Sequence, residues 1–310
     1  MKVLVTGSTG LVGSAIFTKF KSAGHEVVGV NRKIVNLLDH KATKSYLAEL
    51  RPELVIAAAA KVGGVAANNA YPVEFLIENL EIQNNLMSAS HSANVRKLVF
   101  LGSSCIYPKE SSQPIKEEYL LSGPLEPTNS AYAMAKIAGI ELVKSYRKEF
   151  GRQWISLMPS NVYGPNDNFN LTSSHVLAAF IRKFIEAVDN EFNTVHLWGT
   201  GKPRREFLHS FDLAEAVLLA SLSYDSEIPL NIGTGIDLSI SELAEQVASV
   251  TGFKGEIVWD SDKPDGVLRK VLDVTKIKSM GWEPRVILEE GIASTVDWYR
   301  SSLAKGEVRN

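Results

Sequence analysis

Apolar and polar positions follow two rhythms in the first half of the chain. KVLVT (2–6) is an apolar run too short for a helix; GSTGLVG follows it, and apolar residues then recur at helical spacing through Phe20 until Gly24. EVVGV (26–30) is the next apolar run, which completes a strand–helix–strand opening. ELVIAAA (53–59), KLVFLG (97–102) and WISLM (154–158) continue the strand series. Between them lie helical stretches at 73–93, with Phe75, Ile82, Leu86 and Met87, and at 130–149, with Ile137, Ile140 and Tyr146. Strands alternating with helices predict an α/β fold, a Rossmann-type doubly wound parallel sheet.

The pattern changes after about Pro159. Loops lengthen (YGPNDNFNLTSS, 163–174), and HLW and REFLH read as small strands. Ser239 to Val250 reads as a helix opened by a capping box, with Ser239 on the first turn and Glu242 reaching back. The expected organisation is a dinucleotide-binding domain over 1–160 and a smaller mixed α/β substrate lobe over 161–310. The boundary is soft, and some C-terminal segments are expected to return to the first domain.

Composition enters mainly by exclusion. The 310 residues are 45% hydrophobic and 22% charged, ordinary for a globular protein, and the net charge is -2. No dense basic patch points to nucleic acid. One cysteine excludes an internal disulfide and fits a reducing compartment. MKVLVTGSTG breaks into glycine too early for a signal peptide, and no apolar run of roughly 18 residues predicts a membrane span. A cytoplasmic protein without a metal site is the expectation.

Gly7, Gly10 and Gly13 stand between a strand and a helix. Gly7 permits a tight turn, Gly10 lets backbone approach a pyrophosphate, and Gly13 allows close helix–strand packing. The candidate cofactor loop is therefore Gly7, Ser8, Thr9, Gly10, Leu11, Val12 and Gly13. An NAD site places an acid after the second strand, to hold the ribose hydroxyls. Here Asn31 stands there, followed by Arg32 and Lys33. Arg32 can pair with a 2′-phosphate, which favours NADP(H), although such charges also sit simply in solvent. Asp39 is a further candidate, for the adenine amino group.

SAYAMAK places Tyr132 and Lys136 four residues apart, on one helical face. An ammonium beside a phenol lowers its pKa from about 10, so Tyr132 can pass a proton to an alkoxide as hydride reaches a carbonyl carbon. Ser103, at the end of a strand, can bond the same carbonyl oxygen. With the glycine loop, this set resembles the extended short-chain dehydrogenase/reductase superfamily, over essentially the whole chain.

Longer strings narrow the resemblance. AAAAKVGGVAANN (57–69), FLGSSCIYP (100–108), LEPTNSAYAMAKIAG (125–139), NVYGPNDNF (161–169), SHV (174–176), REFLH (205–209), NIGTG (231–235) and KPDG (263–266) occur in one order. Together they are similar to the GDP-L-fucose synthase family. That resemblance implies an NADPH-dependent enzyme that epimerises a GDP-4-keto-6-deoxy-hexose at C3 and C5 and then reduces C4. It also implies a homodimer pairing the helices at 73–93 and 130–149. In the family a cysteine and a histidine move the epimerisation protons, corresponding here to Cys105 and His175. Both side chains exchange protons near neutrality. Taken alone, Cys105 is also a small buried hydrophobe and His175 a satisfied histidine near a helix cap.

Other family positions carry over as expectations. Leu101, Gly102, Ser103 and Ser104, with Pro159, Ser160, Asn161 and Val162, flank the nicotinamide. Lys136 also contacts its ribose, and His175 borders the cofactor. Lys183, Trp198, Arg205 and Asp265 match substrate positions: cations for a diphosphate, a stacking wall, a carboxylate for hydroxyls. Solvated charges and a core tryptophan are their plain alternatives, and Arg204 rivals Arg205. Some relatives carry an arginine in the glycine loop where this chain has Thr9, which leaves more of the selectivity to Arg32. Two rival readings remain: a nucleotide-sugar 4-epimerase with retained NAD, and a scaffold that binds NADP without turnover.

Overall fold

The computed structural model describes residues 1–263 and 265–308. The chain opens with β1 (Lys2–Thr6), α1 (Leu11–Ser22), β2 (Glu26–Val30), α2 (His40–Leu50) and β3 (Leu54–Ala57). Then come α3 (Val65–Ala70), α4 (Pro72–Ser92), β4 (Lys97–Leu101), α5 (Ser130–Phe150), β5 (Ile155–Pro159) and β6 (Asn161–Tyr163). The remainder runs α6 (Val176–Asp189), β7 (Thr194–Trp198), β8 (Arg204–His209), α7 (Ser210–Ser223), β9 (Leu230–Ile232), β10 (Asp237–Ser239) and α8 (Ile240–Thr251). It ends with β11 (Glu256–Asp260), β12 (Arg269–Lys270), α9 (Thr275–Ser279) and α10 (Leu288–Lys305).

Six strands form one sheet in the order β2-β1-β3-β4-β5-β9, every neighbouring pair parallel. β1, β3, β4 and β5 are buried almost end to end, as a sheet covered by helices on both faces requires. This is the doubly wound α/β architecture anticipated from the alternating pattern. The order reverses between β1 and β3, and the crevice outside strand ends at such a switch point is where this architecture binds ligands. Between β2 and α2 the chain makes only turns, the first closed by the Lys33 amide donating to Asn31 Oδ1.

Two apolar clusters lie side by side. The first surrounds the large sheet, with Phe20, Phe100 and Trp154 fully enclosed; it also takes in Leu213 and Val217 of α7, Ile232 of β9 and the segment from Leu272 to Trp282. The second gathers Phe169, Phe184, Leu243, Val247 and Ile292 beneath the smaller strands. β8 lies between β10 and β12 and also pairs with β6, while β7 pairs with β11. The capping box at α8 is present as read: Ser239 Oγ accepts from the Glu242 amide, and Glu242 Oε2 accepts from the Ser239 amide.

Candidate active site

The glycine loop is a cradle that no larger residue fits. Gly7 has φ +68°, and a Cβ there would stand 3.0 Å from Ala59 Cα. A Cβ on Gly13 would lie 2.1 Å from the Gly7 carbonyl oxygen. The Gly10 amide donates to that carbonyl, and Gly10 caps α1 without any side-chain bond. The amides of Leu11, Val12 and Gly13 therefore lack intrahelical partners and suit an anion. Ser8 donates its amide to Val30 and packs against Gly29, while Thr9 faces solvent. Thr6 Oγ1 accepts from the amides of Ala58 and Ala59, which ties the loop after β3 to the end of β1.

Arg32 is exposed and has no partner among the described residues. Asp39 has a structural duty that the sequence did not reveal. Its Oδ1 accepts from the Ala42 amide and caps α2, which leaves Oδ2 for any adenine contact.

At the end of β4, the Gly102 amide donates to the Leu157 carbonyl, and Gly102 lies against Met158 with no room for a Cβ. Ser103 follows in extended conformation and caps a single 3-10 turn, Ser104–Ile106, by accepting from the Cys105 amide at 3.2 Å. Tyr132, on the first turns of α5, has its phenol beside the Ser103 hydroxyl. Lys136 lies behind them, buried, its Nζ donating to the Leu101 carbonyl at 2.8 Å and standing 5.8 Å from the Tyr132 ring centre.

The electrostatics here differ from expectation. Burial draws the Lys136 ammonium down to about 8. Burial, with the Cys105 sulfur nearby, pushes the Tyr132 phenol above its ordinary value, and the Ser103 hydroxyl opposes this only in part. An ammonium acidifying the phenol is therefore not what this arrangement gives. Desolvation outweighs it, and Tyr132 holds its proton at neutral pH.

Cys105 is half-buried in the turn. The Lys270 ammonium donates to its sulfur at 3.6 Å. Arg205 also faces it, along with Asp265 and Glu126. Arg204 turns away, forming ion pairs with Asp237 and Glu242. Of the two rivals, Arg205 is the one brought to the thiol. Lys270 and Glu126 were missed by sequence reasoning: nothing in their local pattern sets them apart from solvated charges.

His175 is the N-cap position of α6. The preceding Ser173 carbonyl accepts from the Gly64 amide, which brings this turn against the loop after β3. His175 is an exposed residue by surface area, and desolvation draws its imidazole below the ordinary value. Among the described residues its ring makes no hydrogen bond to Cys105 or Tyr132. Phe75 links the two sides, its ring edge-on to Tyr132 at 6.4 Å and its tip facing Gly63.

The four carried-over substrate positions cluster at the rim. Lys183 donates to the His196 carbonyl on β7, burial lowering its pKa. Trp198, ending β7, is 59% exposed with Lys263 5.8 Å from its ring. Asp265 accepts from the amide and hydroxyl of Thr200, both at 2.7 Å. Pro264 of the KPDG string lies outside the described residues. On the nicotinamide side, Pro159 ends β5, the Ser160 amide donates to Ile232, and the buried Ser160 hydroxyl has no partner. Asn161 donates to the Glu206 carbonyl, and Val162 pairs with Leu208.

The open α1 amides, the Gly7–Gly13 cradle and the unpartnered Ser160 hydroxyl fit a dinucleotide. Among the described residues no group of three or more His, Cys, Asp or Glu side chains stands ready for a metal. The fold and the Ser103–Tyr132–Lys136 set define a nucleotide-dependent epimerase or reductase, and residues 3–233 match the NAD dependent epimerase/dehydratase family, to which the chain belongs. It is 46% identical to GDP-L-fucose synthase of Escherichia coli (strain K12), over 96% of each chain. It is 48% identical to GDP-L-fucose synthase 1 of Arabidopsis thaliana, over 96% of this chain and 93% of that one. A GDP-L-fucose synthetase from Naegleria fowleri, solved bound to NADP, superposes with a TM-score of 0.91 at 30% identity, covering 100% of this chain and 96% of that one.

Proposed function

We propose that this chain is an NADPH-dependent 3,5-epimerase and 4-reductase that converts GDP-4-keto-6-deoxy-D-mannose into GDP-L-fucose. The observation that carries the reading is the turn after β4, in which Ser103 caps the Cys105 amide beside the Tyr132 phenol and the Lys270 ammonium donates to the Cys105 sulfur. The relatives' named activity and the NADP-bound neighbour support it.

Ser103 and Tyr132 hold the C4 carbonyl oxygen with two hydroxyl donors. Hydrogens on C3 and C5 are acidic because loss of either gives an enolate, whose charge these donors stabilise. A base takes the proton on one face and an acid returns one on the other; Cys105 and His175 fill these roles. Desolvation lowers the His175 imidazole from its ordinary value, which favours its entering as the proton acceptor. The glycine-loop residues, Arg32, the 101–104 and 159–162 segments and Lys136 would hold NADPH, which when bound would supply the hydride for C4. Tyr132 gives its retained proton to O4, completing the alcohol. Lys183, Arg205, Trp198 and Asp265 receive the GDP-sugar.

Two finer points belong to the same reading. The protein works as a homodimer through α4 and α5, because Val73, Ile77 and Met134 present apolar side chains to solvent there. It acts in the cytoplasm, where nucleotide sugars and a reduced thiol coexist; no helix among the described residues is long and apolar enough to cross a membrane. The decisive assay supplies NADPH and the keto-sugar in deuterated water. The reading requires label at both C3 and C5 and one NADPH oxidised per product. Label-free product, or turnover without NADPH loss as a 4-epimerase would give, ends it.

A further inference from the structure

The NIGTG string looks like a second glycine loop, yet it holds a carboxylate of this chain. Glu206, fully buried on β8, lies against Gly233, where a Cβ would stand 2.1 Å from its Oε1. That oxygen accepts from the Gly235 amide at 2.7 Å and from the Thr234 hydroxyl at 3.4 Å. The other, Oε2, accepts from the Leu272 amide at 2.9 Å. Leu272 is two residues past Lys270, and Lys270 is the register partner of Arg205 across the β12–β8 pair. Asn231, in the same string, makes a second tie. Its Oδ1 accepts from the Tyr107 hydroxyl at 2.6 Å, and its Nδ2 donates to the carbonyls of Ile115 and Asp273. Tyr107 is two residues past Cys105. One short loop thus grips both the turn that carries the thiol and the strand that carries the ammonium.

We propose that Glu206, seated in the NIGTG loop, is a positioning residue for epimerisation: with Asn231 it fixes Arg205 and Lys270 against the Cys105 sulfur. A buried carboxylate without a cationic partner is costly, and burial raises Glu206 to about 7 despite its hydrogen bonds. Holding β8, the NIGTG loop and residues 270–272 in one register is what the carboxylate does here. Ser103, Tyr132 and Lys136 are attached to β4 and α5 and do not depend on it. The inference rests on the epimerase reading of Cys105.

The test is Glu206→Gln, which keeps shape but opposes an amide donor to the Leu272 amide. Two quantities are read in the full-length protein: deuterium exchange at C3 and C5, and reduction of a pre-epimerised ketone. Exchange is expected to fall about tenfold or more while reduction changes by less than about threefold. Iodoacetamide alkylation of the single cysteine at neutral pH, which needs no substrate, is expected to slow about threefold or more. Equal losses in exchange and reduction, or unchanged exchange and alkylation, overturn the proposal. Should Glu206→Gln fail to fold, Glu206→Asp, which keeps the charge but shortens its reach to the Leu272 amide, is read by the same split. Wild-type protein that reduces ketone without any exchange refutes the epimerase reading instead, and the alkylation comparison still judges Glu206.

Discussion

The Lys270 ammonium donates a hydrogen bond to the Cys105 sulfur across 165 positions of sequence, at 3.6 Å. A cation so placed steadies negative charge on sulfur whenever the thiol has given up its proton. Lys270→Met is therefore expected to cut isotope exchange at C3 and C5 by about tenfold or more and to leave reduction of a pre-epimerised ketone within about threefold. Lys270→Arg, which keeps a donor, is expected to restore part of the loss. Parallel losses in both measurements would refute the assignment.

Lys136 makes a stability prediction with a definite sign. Its folded value of about 8 lies below the 10.5 of a free lysine. Between those values the unfolded chain keeps a proton that the folded chain has shed, so stability gains as pH rises through that window. Below pH 8 the buried charge costs about 3 kcal/mol. Lys136→Met removes that cost but orphans the Leu101 carbonyl, at about 1–3 kcal/mol. The cofactor-free variant is expected to melt no lower than wild type at pH 7 while losing reductase activity. Its relative advantage should fade as pH approaches 10. Melting curves at both pH values check this.

Arg32 has no partner among the described residues and follows β2, where the proposed reading has it meet a 2′-phosphate. Arg32→Ala is expected to weaken NADPH binding by about 10- to 100-fold, as loss of a charge-assisted contact implies, and to change NADH binding little. Titration of both nucleotides by fluorescence measures the ratio. A uniform loss for the two would assign Arg32 to general electrostatics.

Ile77 and Val73 lie four residues apart on α4, both open to solvent. Ile77→Glu is expected to convert the proposed dimer to monomer in light-scattering measurements at micromolar concentration, with the fold intact by circular dichroism. A wild type that is already monomeric would refute the interface.

Five of the six strands of the large sheet were legible because strand runs and helical periods alternate cleanly over the first 160 residues; the sixth, β9, returns from Leu230–Ile232 and shows no such pattern. Gly7, Gly10 and Gly13 were legible from their place between a strand and a helix, and crowding demands glycine at the first and last of them. The triad needed only a four-residue spacing and a strand end. Other features depended on distant contacts. The retained proton of Tyr132 and the approach of Lys270 to Cys105 arise from burial and from strands far apart in the chain, which periodicity cannot register. Arg204 and Arg205 are adjacent and alike in sequence; only the pleat of β8 sends one to Asp237 and the other to the thiol.

The Ser103–Cys105 spacing has a consequence for the order of events. On the proposed roles, one turn of backbone carries both the hydroxyl that grips the ketone and the sulfur that works on its neighbouring carbon, which gives the sugar a single station and no track to a second one. An inverted ketone is already in place for reduction and has no reason to enter bulk solvent. Trapping enzymes added to the medium would find nothing to intercept until the finished alcohol departs.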